Sequence, residues 1–105
     1  MACGYGPTMP MRLELSRRAQ TDLDDIRDYS AEHFGLARAI RYLDAIEAAF
    51  RRIVDNPKIG ESRLDLAATV RSLPMGEHRA YYRVGPETIL ILRVLHKAMD
   101  AARHL

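Results

Sequence analysis

The chain has 105 residues, 48% hydrophobic and 29% charged, which fits one globular domain and leaves no length for a second. A domain of this size buries roughly 65% of the surface its unfolded chain exposes, so it needs no metal or disulfide staple, and the single Cys3 has no internal partner, as in a reducing cytosol. The formal charge of +2 selects no class of partner, no apolar run is long enough to cross a bilayer, and residues 1–10 lack the pattern of a secretory signal, so a cytoplasmic protein without membrane contact is expected.

Residues 1–10 hold two glycines and two prolines without apolar periodicity and are read as a disordered tail, with one domain over residues 11–105. From Met11 to Leu15, Met11, Leu13 and Leu15 alternate with Arg12 and Glu14, the period of a half-buried strand. Ser16 is a suitable helix N-cap, and from Arg17 to about His33 the stripe Ala19, Leu23, Ile26 and Tyr29 or Ser30 predicts a surface helix. Gly35 separates it from a second helix whose core stripe is Ala39, Leu43, Ile46, Phe50 and Ile53, stopped by Asn56-Pro57. Lys58 to Ala68 reads as a loop with room for one helical turn at Leu64 to Leu66. Val70 to Leu73 is a short strand before a Pro74-Met75-Gly76 turn. Arg79 to Val84 and Thr88 to Leu95 form a hairpin around Gly85-Pro86, and Lys97 to Leu105 is a short terminal helix or tail. The order β-α-α-β-β-β predicts an α+β domain: an N-terminal strand, an antiparallel helix hairpin and a three-stranded antiparallel meander in one mostly antiparallel sheet.

Strand alternation puts Arg79, Tyr81 and Arg83 on one face and Ala80, Tyr82 and Val84 on the core face. In the next strand Ile89, Ile91, Arg93 and Leu95 alternate with Leu90, Leu92, Val94 and His96. Arg71, Arg79, Arg83 and Arg93 would then converge on the open face as a cradle for phosphate or partner carboxylates. The plainer reading, which we prefer, is a solvated face whose arginines pair with Glu61, Asp65 or Glu77. His78, His96 and His104 match no zinc spacing, and Asp100 reads as a capping residue. The acidic run Asp22, Asp24, Asp25 and Asp28 reads as helix-dipole compensation, not metal binding. No nucleophile has a base beside it and the glycines are scattered, so a hydrolase or a nucleotide-dependent enzyme is not expected, and neither a metal nor a cofactor is called for.

The ordered string Leu15-Ser16, Ala19, Asp22-Leu23, Asn56-Pro57-x-x-Gly60, Val70-Arg71-Ser72-Leu73, His78 to Val84 and Ile89 to Asp100 resembles the ParE branch of the ParE/RelE toxin superfamily over residues 11–105. Its most specific part is Arg93-Val94-Leu95-His96-x-x-Met99-Asp100. The resemblance implies the toxin half of a type II toxin–antitoxin pair, held in a hetero-oligomer by a ParD-like antitoxin whose disordered segment folds across the helix pair and sheet. It also implies poisoning of DNA gyrase by binding and not by catalysis, with DNA reached only through the antitoxin. The antitoxin contacts would be Asp22, Leu23, Asp25, Tyr29, Arg38, Tyr42, Arg79 and Arg83, and the target contacts His96, Asp100, Arg103 and His104. The RelE branch offers the alternative of a ribosome-dependent mRNA endonuclease using Arg79, Arg83, Arg93 and His96. Against that stand a loop with only Lys58, Arg63 and Arg71, and a terminal segment without tyrosine. A third reading is an antitoxin-binding protein that has lost toxicity.

Overall fold

The computed structural model describes residues 11–105, and the tail expected over residues 1–10 lies outside the described residues. Strand β1 (Arg12–Leu15) leads into helices α1 (Arg17–Phe34) and α2 (Leu36–Asp55). Strands β2 (Glu61–Ser62), β3 (Val70–Met75), β4 (His78–Val84) and β5 (Thr88–His96) follow, then a 3-10 turn at Ala101–Arg103. The strands form one sheet in the order β1, β5, β4, β3, β2, with β1 parallel to β5 and every other pair antiparallel. The expected α+β architecture is the observed one.

Local chemistry explains where the helices begin and end. Ser16 Oγ accepts the Ala19 N–H at 2.9 Å and donates to the Leu92 carbonyl at 2.7 Å. One hydroxyl therefore caps α1, a contribution of about 1 kcal/mol, and ties the helix start to β5. Gly35, at φ 87°, closes α1 with its N–H on the Ala31 carbonyl and lets the chain reverse into α2. The helix pair lays Ile26, Ile46, Phe50 and Ile53 on a sheet face formed by Leu73, Ala80, Tyr82, Ile89, Ile91 and Val94. Each such large side chain contributes roughly 1.5–3 kcal/mol by leaving water.

The sheet departs from the expectation in three places. Pro74 and Met75 continue β3 instead of turning, and the turn is Gly76-Glu77, with Gly76 at φ 65°. Proline is tolerated because β2 pairs only with Arg71 and Ser72, so at Pro74 the outer side of β3 is a free edge that needs no N–H. Second, Tyr81 pairs with Arg93 but Tyr82 with Ile91, so Leu92 is an extra residue in β5. The bulge ends simple alternation: Val94 joins Ile89 and Ile91 in the main core, while Leu92 and Leu95 pack on the other face. Third, part of the expected loop pairs as β2. The Tyr82 hydroxyl accepts from Gly60 N–H at 2.9 Å and donates to the Pro57 carbonyl at 2.7 Å, and Arg71 donates to the Gly60 carbonyl at 2.7 Å. These bonds draw the segment alongside β3.

Candidate functional site

The α1–α2 hairpin runs past the end of the sheet and leaves a groove of about 590 Å³ between itself and the β3–β4 turn. Its walls are Asp25, Ile26, Tyr29, Ser30 and Phe34 from α1, Arg38 and Tyr42 from α2, and Glu77, His78 and His96 from the sheet end. Tyr29 and Phe34 are 58% and 52% exposed, and Leu36 and Ile40 extend the apolar surface around the hairpin tip. The rings are ordered by one another: Tyr29 stacks on His33 at 3.8 Å and the Arg38 guanidinium lies 5.2 Å from the Phe34 centroid. A preformed apolar groove with one carboxylate on each side and a cation at its lip is suited to an amphipathic segment.

The floor is a hydrogen-bonded polar cluster. The Tyr42 hydroxyl accepts the Glu77 N–H at 3.0 Å and lies 2.7 Å from His78 Nδ1 and 3.1 Å from the Met75 carbonyl. His78 and His96 meet edge to face at 5.4 Å. Burial, then the neighbouring His96, lowers the His78 pKa, and burial raises that of Tyr42. Both groups are thus held neutral near pH 7, and the cluster fixes α2 to the sheet end. Among the described residues no group of three or more His, Cys, Asp or Glu side chains is placed to hold a metal ion.

The four arginines of the less favoured cradle reading do not converge on one site. Arg93 sends Nε and Nη2 to the two carboxylate oxygens of Asp22 at 2.8 and 2.9 Å, and Nη1 to the His104 carbonyl at 2.7 Å. Asp22 also accepts the Val94 N–H at 2.9 Å, and both side chains of the pair are only 12% exposed. This is the role of Asp22, in place of dipole compensation, for no acid lies in the first turn of α1. Arg71 lies opposite Tyr82, so it points to the helix side, where it holds the Gly60 and Lys58 carbonyls. Arg79 and Arg83 do share the second face but flank the buried Tyr81, and neither forms an ion pair among the described residues. Of the acids expected to neutralise them, Asp65 is taken by Arg63 at 2.8 Å and Glu77 by Lys97 at 3.2 Å, while Glu61 forms no ion pair among the described residues. Nor is that face open, since Val70, Tyr81, Leu95 and Ala101 form a small second core there with Leu66 and Leu92.

Of the residues singled out from sequence, Asp25, Tyr29, Arg38, Tyr42 and His96 meet in the groove, while Leu23 packs on the main core beside it. Asp100 caps the terminal turn by accepting the Ala102 N–H at 3.1 Å, and Arg103 is exposed beside it. His104 lines a separate cavity of about 490 Å³ with Arg18, Arg83 and Leu92. Sequence reasoning missed Phe34, Glu77 and His78 in the groove. Phe34 was legible as a large apolar residue that continues the α1 stripe one turn past Ser30, whereas Glu77 and His78 reach the groove only because the β3–β4 turn lies two residues later than expected.

Residues 13–101 match the family described as ParE toxin of type II toxin-antitoxin system, parDE. Toxin ParE1 of Caulobacter vibrioides is 41% identical over 91 residues, covering 87% of this chain and 94% of its own length. Toxin ParE1 of Mycobacterium tuberculosis is 38% identical over 98 residues, covering 92% and 100%. Among solved structures, the chromosomal ParDE toxin–antitoxin system from P. aeruginosa superposes with a TM-score of 0.71 at 27% identity over 82% of this chain and 95% of that one. The RelBE2 toxin–antitoxin complex from Mycobacterium tuberculosis shares the fold, with a TM-score of 0.59 at 24% identity over 85% and 100% of the two chains. The chain belongs to the ParE toxin family of type II toxin–antitoxin systems.

Proposed function

We propose that this toxin is silenced by a ParD-like antitoxin seated in the hairpin groove and that, once free, it poisons DNA gyrase by binding. The observation that carries the antitoxin half is the exposed apolar surface of Tyr29 and Phe34 over a preformed groove rimmed by Asp25 and Arg38. An antitoxin helix would bring apolar anchors to Tyr29, Phe34 and Tyr42, with Asp22 and Leu23 supporting α1 from behind. An acidic stretch of the same partner would take the free guanidinium groups of Arg79 and Arg83 on the second face. A binding toxin is favoured over an endonuclease by the placement of the four residues a nuclease would use. Arg93 and Arg83 line one cavity, but Arg93 is occupied by Asp22 and the His104 carbonyl, while His96 lines the groove and Arg79 a third cavity. Gyrase contact is assigned to the chain end, where Asp100, Arg103 and His104 follow His96 at the surface.

The test is direct. Purified protein is added to a gyrase reaction on plasmid DNA and, separately, to translating ribosomes programmed with a reporter message. Accumulation of gyrase-linked cleaved DNA without message cleavage supports the proposal, and cut message with intact DNA overturns it. For the antitoxin half, Tyr29→Ala should weaken binding of the ParD-like protein by about 2 kcal/mol, the scale of an aromatic anchor, without moving the melting temperature. An unchanged affinity would remove the groove from the interface.

A further inference from the structure

Almost all ion pairs of the described residues lie at the surface, with exposed partners one to four positions apart or, for Lys97–Glu77, at the adjoining ends of β5 and β4. Asp22–Arg93 is different, because it is shielded, bidentate and spans 71 positions. It also has a third member. The guanidinium that is fixed by Asp22 gives its remaining Nη1 to the carbonyl of His104, the penultimate residue. Three elements thus meet on one side chain: α1, β5 and the end of the chain.

The chain end has little else to hold it. After His96 leaves the sheet, Lys97 N–H returns to the Glu77 carbonyl, Asp100 caps the 3-10 turn from inside, and only Ala101 is buried, in the second core. Arg103, His104 and Leu105 bond back to Asp100 and Ala101 and to nothing beyond the segment except Arg93. A three-residue turn of this kind is not stable alone, since its few local bonds do not offset the entropy of ordering it.

We propose that Arg93 is the positioning residue of the C-terminal segment: by holding Asp22 with one edge and the His104 carbonyl with the other, it makes the end of the chain an extension of α1. The position of residues 102–105 then depends on α1 being seated on the sheet. Asp22 lies one helical turn before Asp25 and Ile26 in the groove wall, so whatever displaces that part of α1 loosens the chain end. The inference deepens the reading of that end as the surface presented to the target and rests on it for its meaning, though its physical content does not.

Amide hydrogen exchange separates the two. Arg103, His104 and Leu105 each have a hydrogen-bonded N–H, so their protection reports whether the segment is docked. Three forms are compared: the wild type, Asp22→Asn, which keeps an acceptor for Val94 N–H, and Asp22→Leu with Arg93→Met. The double variant removes both shielded charges together, so no lone buried charge threatens folding. We expect exchange at these three amides to rise about tenfold or more in the double variant and by a smaller factor in Asp22→Asn, with the amides of Tyr81 and Tyr82 in β4 unchanged. Unchanged terminal exchange in the double variant overturns the proposal, because Ala101 would then suffice. Wild-type exchange in Asp22→Asn beside raised exchange in the double variant overturns the link to α1. A terminus released in this way that leaves gyrase poisoning intact would sink the target assignment alone.

Discussion

The two faces of the sheet are built to different standards. The helix-covered face holds Tyr82, Ile53, Ile89 and Ile91 fully buried in one continuous core, whereas the second face has four buried residues sealed by a loop leucine and a three-residue turn. Both draw on β5, and the bulge at Leu92 makes this possible, since it lets one strand send Ile89, Ile91 and Val94 to one side and Leu92 and Leu95 to the other. The lesson is that stability is concentrated on one face, and the two surfaces proposed for partners, the hairpin groove and the chain end, lie at its border and on the thin face.

The contrast can be broken by adjacent substitutions in one strand. Ile91→Ala should cost about 3–4 kcal/mol in a denaturant melt, the usual range for a large core truncation, while Leu92→Ala should cost about 1 kcal/mol. Equal losses would show that the second face bears as much load as the first. Gly60→Ala comes next. A Cβ there would stand 2.5 Å from the Tyr82 hydroxyl and 2.8 Å from the Ser72 carbonyl, and the backbone must shift at a cost of about 2–3 kcal/mol. Tyr82→Phe should lose slightly less, about 1–2 kcal/mol, because the buried Gly60 N–H keeps its place but loses its acceptor. If Tyr82→Phe melts like the wild type, the ring alone organises the loop from Pro57 to Gly60.

The smallest effect tests the groove floor. The pKa of His78 is lower in the folded protein than in the unfolded chain, so below the ordinary histidine value the unfolded state takes up more protons. Its contribution to stability is complete above that value, near 6.5, and is lost as pH falls toward the folded one. The melting temperature should therefore drop between pH 7 and pH 5, and His78→Gln should flatten part of that drop. Parallel profiles for the two proteins would show that His78 is not responsible.

Element type and order were legible because period and punctuation agree locally: Ser16 as cap, Gly35 as reversal, Asn56-Pro57 as stop. The pairing of β1 with β5 and the bulge were not, since register is decided by partners distant in sequence. The misplaced β3–β4 turn has the same origin, as Pro74 forbids a strand interior but not an edge, and the edge exists only because β2 is two residues long. The groove was half legible. Tyr29, Arg38 and Tyr42 stand out on helix faces, whereas the engagement of the Arg93 guanidinium depends on Asp22, which reads from sequence as one acid among four.

The parallel pairing of β1 with β5 has a consequence for how the chain is made. The strand that joins β1 to the rest of the sheet, β5, is the last of the five in sequence, and its partner in the Ser16 bond lies 76 positions upstream. Until Thr88 to His96 are available, β1 has no neighbour, α1 has no strand to cap against and Asp22 has no cation. The helix pair can coil early from local contacts and can meet Leu73, Ala80 and Tyr82 first, but its cover by Ile89, Ile91 and Val94 waits for β5. A chain cut short before β5 thus leaves β1 unpaired and β4 with a bare edge, and a ribosome that stalls on this message releases no finished toxin.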